Sequence, residues 1–136
     1  MRYSLMLLVF LYPSISNAQQ VAAAFSSPQH PILNALVQQH ANKMATICYQ
    51  SHNGWEYRYR AALKVISTAR TASEICAESW PWQRNANWTE QWAEYEYCWK
   101  QSPGHWSVAK LRHKFIGVSS ARGSNGVWYG CLIAVD

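Results

Sequence analysis

Phe115-Ile116-Gly117-Val118-Ser119-Ser120-Ala121, then Gly123-Ser124-Asn125-Gly126, then Val127-Trp128-Tyr129-Gly130-Cys131-Leu132-Ile133-Ala134-Val135, is the stretch that decides the fold. Two β-prone runs flank an Asn-Gly pair. Asn-Gly is the strongest short-range hairpin signal, because both residues tolerate positive φ. The second run is apolar almost without a break, which predicts a strand covered on both faces. The long patterns upstream are helical. Helices first and a hairpin last predict an α+β fold.

Moving upstream, His105-Trp106-Ser107-Val108-Ala109 suits a short helical turn, and Ser102-Pro103-Gly104 stops the helix before it. In that helix Trp88, Trp92, Tyr95 and Trp99 recur at i, i+4, i+7 and i+11, one aromatic face read as core. Asn87 can cap it, with Glu90 closing a capping box. Glu90 and Glu94 lie on the opposite face and Glu96 on the flank. Asn87-Trp88-Thr89 is also a glycosylation sequon, with meaning only in a eukaryotic secretory pathway. Trp80-Pro81-Trp82 breaks regular structure. Glu74-Ile75-Cys76-Ala77 is a short apolar run carrying one carboxylate, after a loop-like Thr71-Ala72-Ser73. Residues 57–70 read as helical or mixed. A first helix opens at Pro31, a good first-turn residue, and ends near Ser51. Its stripe is Leu33, Leu36, Val37, His40, Met44, Ile47 and Cys48, so His40 reads as a core histidine with its hydrogen bonds satisfied. His52-Asn53-Gly54 is a turn.

The chain has 136 residues. Residues 1–18 read as a signal peptide: Arg2, an apolar run from Leu5 to Tyr12, and a small-x-small site at Ser16-Asn17-Ala18. The apolar run is shorter than the roughly 20 residues of a spanning helix, and no later segment is apolar enough to be one. Residues 19–30 read as a flexible lead-in and 31–136 as one domain. The expected location is secreted or periplasmic. Loss of Arg2 with the leader lowers the formal charge from +5 to +4. The densest basic stretch, Lys110, Arg112, His113 and Lys114, reads as a solvated face and not a dedicated nucleic-acid site. Four cysteines, Cys48, Cys76, Cys98 and Cys131, in an exported chain predict two disulfides with three pairings open. Their spacings of 28, 22 and 33 do not form a zinc framework.

His52 and His105 sit in turns near glycine, and Glu74 lies between the two clear helices. Two imidazoles and a carboxylate can bind a divalent ion or exchange protons. The blocks around them fall in a familiar order: His40-Ala41-x-x-Met44-Ala45, Ser51-His52-Asn53-Gly54, Glu74-Ile75-Cys76-Ala77, Trp99-x-x-Ser102-Pro103-Gly104-His105, and Ile116-Gly117-Val118. Over residues 31–136 the chain resembles the CAP superfamily of cysteine-rich secretory proteins, antigen 5 and plant pathogenesis-related proteins, in its short bacterial form. The resemblance implies an α-β-α sandwich whose central cleft is faced by His52, Glu74 and His105. Some members of that family hold zinc or another divalent ion between the two histidines, which the resemblance places at His52 and His105. Three departures stand out. Ile75 and Cys76 follow Glu74 where the family often has Asn-Ile-Ala. The family's second acid has no clean match, since Glu90 and Glu94 sit at the wrong offsets. Trp106 stands where bacterial members carry a basic residue.

Two functions follow from that resemblance. One is a monomeric binding or effector module for a lipid, glycan or peptide. The other is a metal-dependent hydrolase of peptide or cell-wall bonds, with His52 and His105 on the ion and Glu74 as general base. An inert disulfide-stapled domain is a third reading. No serine or cysteine nucleophile has a partner base at motif spacing.

Overall fold

The computed structural model describes residues 22–79 and 86–136. The leader and Trp80-Pro81-Trp82 lie outside the described residues. Among the described residues a 3-10 turn at Ala23–Ser26 is followed by four α-helices and three strands in the order α1 Pro31–Ile47, α2 Trp55–Val65, β1 Ala72–Glu78, α3 Trp88–Lys100, α4 Pro103–Ala109, β2 Phe115–Arg122 and β3 Trp128–Val135. The α+β class is as expected. The sheet is antiparallel throughout, in the order β1-β3-β2.

β3 is therefore central. This explains its unbroken apolar run: Tyr129 through Val135 are all buried. Its side chains alternate between two cores. Tyr129, Cys131, Ile133 and Val135 join Cys76 beneath α1 and α2, with Leu33, Val37, Met44 and Ala62. Leu132 and Ala134 join Ile75, Ile116 and Val118 on the other face, beneath α3 and α4, with Trp92, Tyr95, Trp99 and Ala109. Helices thus cover both faces of the sheet. Two glycines permit the closest approaches. A methyl on Gly117 would overlap the Leu33 backbone of α1, and one on Gly130 would overlap the Tyr95 ring of α3.

The helix ends follow local chemistry. Pro31 opens α1, and His30 Nδ1 accepts from the Ile32 amide at 3.2 Å. The helix stops at Ile47, four residues before the expected Ser51. Cys48 takes the left-handed conformation at φ 52°, and the Tyr49 amide returns to Met44 O at 3.1 Å. That is a Schellman ending, with cysteine where glycine usually stands. The α3 capping box is present: Glu90 N donates to Asn87 Oδ1, and Asn87 N to Glu90 Oε2, both at 2.9 Å. β1 begins at Ala72, inside the expected loop, because Ala72 and Ser73 pair with Val135 and Ala134 of β3. Tertiary pairing here overrides small polar composition.

Three expectations are corrected. The described part of the lead-in is docked. Ala22, Ala24 and Ser27 are buried, and Gln29 forms a parallel bridge with Ile116. His113 is not part of a solvated face. It is buried, with Nδ1 2.7 Å from Asp136 Oδ2 and Nε2–H donating to Val108 O at 2.8 Å. All four cysteines are free, so neither expected disulfide is present. Cys48 Sγ meets Ser124 Oγ and Cys98 Sγ meets Glu78 O, which gives those two thiols separate surroundings. Cys76 and Cys131 do meet, at 3.4 Å, well beyond the bond length of about 2.05 Å. Among the described residues no helix is long and apolar enough to cross a membrane.

Candidate functional site

The site is built on alternation along β1. Glu74 and Cys76, two residues apart, face the same core as α1 and α2. The Glu74 side chain is only 1% exposed. A carboxylate buried that deeply must be paired and hydrogen-bonded. Arg58 of α2, itself buried, supplies a fork: Nε donates to Oε2 at 2.5 Å and Nη2 to Oε1 at 2.7 Å. Arg58 Nη1 also donates to Asn53 O at 2.8 Å, tying the 52–54 turn to the same guanidinium. His52 Nδ1–H completes the set by donating to Oε1 at 2.9 Å. Burial disfavours the Glu74 charge, but the bonds from His52 and Arg58 outweigh it and hold the carboxyl below its ordinary pKa.

His105 enters from the first turn of α4. Its ring centroid is 6.0 Å from that of His52, with the planes 26° apart. The three residues singled out from the sequence are therefore neighbours: His52 touches Glu74 directly and faces His105. His52 is half-exposed. Its Nε2 and both nitrogens of His105 have no hydrogen-bond partner among the described residues. Cys76 and Glu74, both facing Nδ1, raise the His52 pKa to about 10. Burial and then the neighbouring His52 charge push His105 below its ordinary value. Two imidazoles bound tetrahedrally to one zinc ion place their ring centroids about 5 Å apart, so the 6.0 Å seen here is wider than a loaded pair.

Why the helix stop delivers His105 to this place is visible one turn earlier. Trp99 is fully buried, and its Nε1 donates to Cys76 O at 3.0 Å, pinning the end of α3 against β1. Gln50 Nε2 reaches the same carbonyl from the other side at 3.3 Å. At the rim, the Lys100 ammonium lies over the Trp106 ring, 5.2 Å from its centroid.

A second group lies beneath. One ligand atom from each of His40, Glu74, Cys76 and Cys131 falls within 4.8 Å of the others, so this group could hold a metal ion. Only Glu74 is shared with the sequence-derived trio. His40 is buried, as expected, but only half satisfied: Nε2–H donates to Ser51 O at 2.7 Å, while Nδ1 has no partner. Cys76 faces the Cys131 thiol as well as His40 and His52, which lower its pKa to about 5 against the effect of burial. Burial holds Cys131 well above the ordinary range. A hollow of about 380 Å³ opens along the end of α1, lined by His40, Lys43, Met44, Ile47, Ser51 and Asn53, but not by His52 or His105.

The sequence reading missed Arg58, Cys76 and Cys131 as site residues. The usable signal for Arg58 was indirect: a carboxylate within an apolar run needs a guanidinium, and Arg58 stands just past the histidine turn. Nothing in the spacing marks the cysteines, which reach His40 only through the pairing of β1 with β3. Compared with known proteins, the chain matches no family model and no curated sequence.

Proposed function

We propose that the chain is an exported, monomeric CAP-like module that binds a lipid, glycan or peptide ligand at the His52–His105 cleft. Helix layers on both faces of a three-stranded antiparallel sheet are consistent with that family's sandwich. The observation that carries the binding reading is the state of Glu74. Its oxygens already accept three bonds from Arg58 and His52, and its side chain is 1% exposed. A general base needs a carboxylate within reach of the proton it takes, with a pKa near the working pH. Glu74 has neither, which weighs against the hydrolase reading. His52 Nε2 and the His105 nitrogens have no hydrogen-bond partner among the described residues, which leaves them to a ligand.

His52 and His105 are the residues that would hold a zinc or other divalent ion in this cleft. Such an ion, when bound, supplies a Lewis-acidic anchor for a ligand oxygen. Their rings would have to close by about 1 Å onto it, and Glu74 orients the His52 ring through Nδ1, as outer partners of metal-bound histidines do. The test is binding of murein fragments, anionic vesicles and extended peptides to wild type and to His52→Ala/His105→Ala, with and without zinc. At least a tenfold loss of affinity in the variant supports the cleft. Equal binding by both proteins removes it. Turnover of a peptide or murein substrate that Glu74→Gln abolishes, in a variant that stays folded, restores the hydrolase.

A further inference from the structure

Beneath the cleft lies a set of donors that ligand binding leaves unused. Cys76 of β1 and Cys131 of β3 are register partners. Five positions along, Thr71 and Asp136 exchange both backbone hydrogen bonds, each at 3.1 Å. Bonded and non-bonded pairs alternate along an antiparallel ladder, so the cysteines form a non-hydrogen-bonded pair, with Cα atoms about 4.5 Å apart and side chains close together. Their sulfurs are 3.4 Å apart, and the residues are 1% and 0% exposed. His40 is held above them by α1 at 2% exposure, its Nδ1 without a partner.

The geometry points to a buried structural site for one thiophilic divalent ion of the zinc class, held by His40, Cys76, Cys131 and Glu74. Imidazole, two thiolates and a carboxylate are all donors of tetrahedral zinc. Two sulfurs on one such ion stand about 3.8 Å apart, so the pair observed at 3.4 Å needs only a small adjustment. The His40 tautomer is already chosen. Nε2–H donates to Ser51 O, the backbone bond that ligating histidines commonly make, and lies 3.9 Å from Glu74 Oε1, while the Nδ1 lone pair has no partner. Glu74 accepts three hydrogen bonds, and a carboxylate has about four lone-pair directions, so one remains for the ion. The three negative charges of two thiolates and Glu74 face Arg58 and His52, which leaves a net attraction for a dication. Loading from the unfolded chain at neutral pH releases the two thiol protons to solvent and involves no change of oxidation state. The site uses neither His52 nor His105. Its donors are too buried for easy entry, so loading accompanies folding.

The test refolds the protein from denaturant under reductant with Co²⁺, then adds Zn²⁺. The expected result is one Co²⁺ per chain with a thiolate-to-cobalt charge-transfer band, bleached by Zn²⁺. Cys131→Ser should retain at least tenfold less metal, while His105→Ala, which touches none of the four donors, keeps the band. Absence of the band in wild type overturns the site whether or not Cys131→Ser folds. So does a band that survives Cys131→Ser, or thiol counting that finds Cys76 and Cys131 oxidised to each other and metal-free in protein purified without reductant. A retained band with cleft binding lost, or the reverse, separates this site from the cleft.

Discussion

Replacing Arg58 by methionine leaves the Glu74 carboxylate without its guanidinium. The two side chains are 5% and 1% exposed, so the charge left behind has little access to water. Removing one partner of a buried pair costs about 3–5 kcal/mol, most of it the penalty of the stranded charge. Two features favour the lower end. His52 still donates to Oε1 at 2.9 Å, and methionine keeps much of the packing of the arginine stem. One feature adds to the cost, the lost 2.8 Å bond from Nη1 to Asn53 O that anchors the turn. The expected loss is about 3 kcal/mol, or about 10 °C in Tm for a domain of this size. Urea unfolding at pH 7, followed by tryptophan fluorescence, measures it. The double variant Arg58→Met/Glu74→Gln strands no charge and should recover about 1 kcal/mol or more of the loss. A single-variant loss under about 1 kcal/mol, or a double variant no better than the single, refutes the reasoning.

Stability against pH should show a plateau. Folded His52 keeps its proton to about pH 10 against 6.5 unfolded, so its contribution is whole below 6.5 and is lost as pH rises through 10. Folded Cys76 ionises near 5 against 9.0 unfolded, so its contribution is whole above 9 and is lost as pH falls through 5. The two slopes oppose each other between 6.5 and 9, and stability should fall on either side; a steady trend from pH 5 to 10 in thermal melts contradicts the pairing. Gly117→Ala should cost about 3 kcal/mol in urea unfolding, because the new methyl meets the α1 backbone and not a side chain that can swing away. Cys48→Gly should raise stability by about 0.5–1 kcal/mol by relieving the left-handed cysteine, and an unchanged or lower denaturation midpoint would count against that strain.

The elements with local signals were legible in the sequence. Pro31, the Asn87–Glu90 box, the Trp92, Tyr95 and Trp99 part of the α3 stripe and the Asn125-Gly126 hairpin each act within a few residues and appear in the structure, whereas Trp88, expected in the core, is 52% exposed at the start of the helix. The end of α1 was not legible, because the ending at Cys48 uses a residue that rarely adopts positive φ. β1 was read as a short run because its first two residues are held by β3 and not by their own propensity. The site divides the same way. His52 and His105 were found from turn chemistry and motif. Arg58, Cys76 and Cys131 depend on side chains brought together across 16 to 55 residues, which no local pattern encodes. The cysteine count suggested crosslinks, whereas the packing separates Cys48 from Cys98 and leaves Cys76 and Cys131 as facing thiols.

Gln29 belongs to a short segment that covers one edge of the sheet. A three-stranded sheet has two outer edges, and an exposed edge is a template for another chain. On β1 the outward Cys76 carbonyl is occupied by Trp99 and Gln50. On β2, Ile116 donates to Pro28 O and accepts from His30 N, both at 2.9 Å, so residues 28–30 act as a cover strip. A chain cut at residue 31, where sequence alone would place the domain start, loses that strip. The remaining fold would uncover the Ile116 amide and carbonyl, leaving Asn34 and Gln38 of α1 as the cover of Val118 N and Ser120 O, and strand-to-strand pairing at the freed end of β2 would become a hazard in storage and expression.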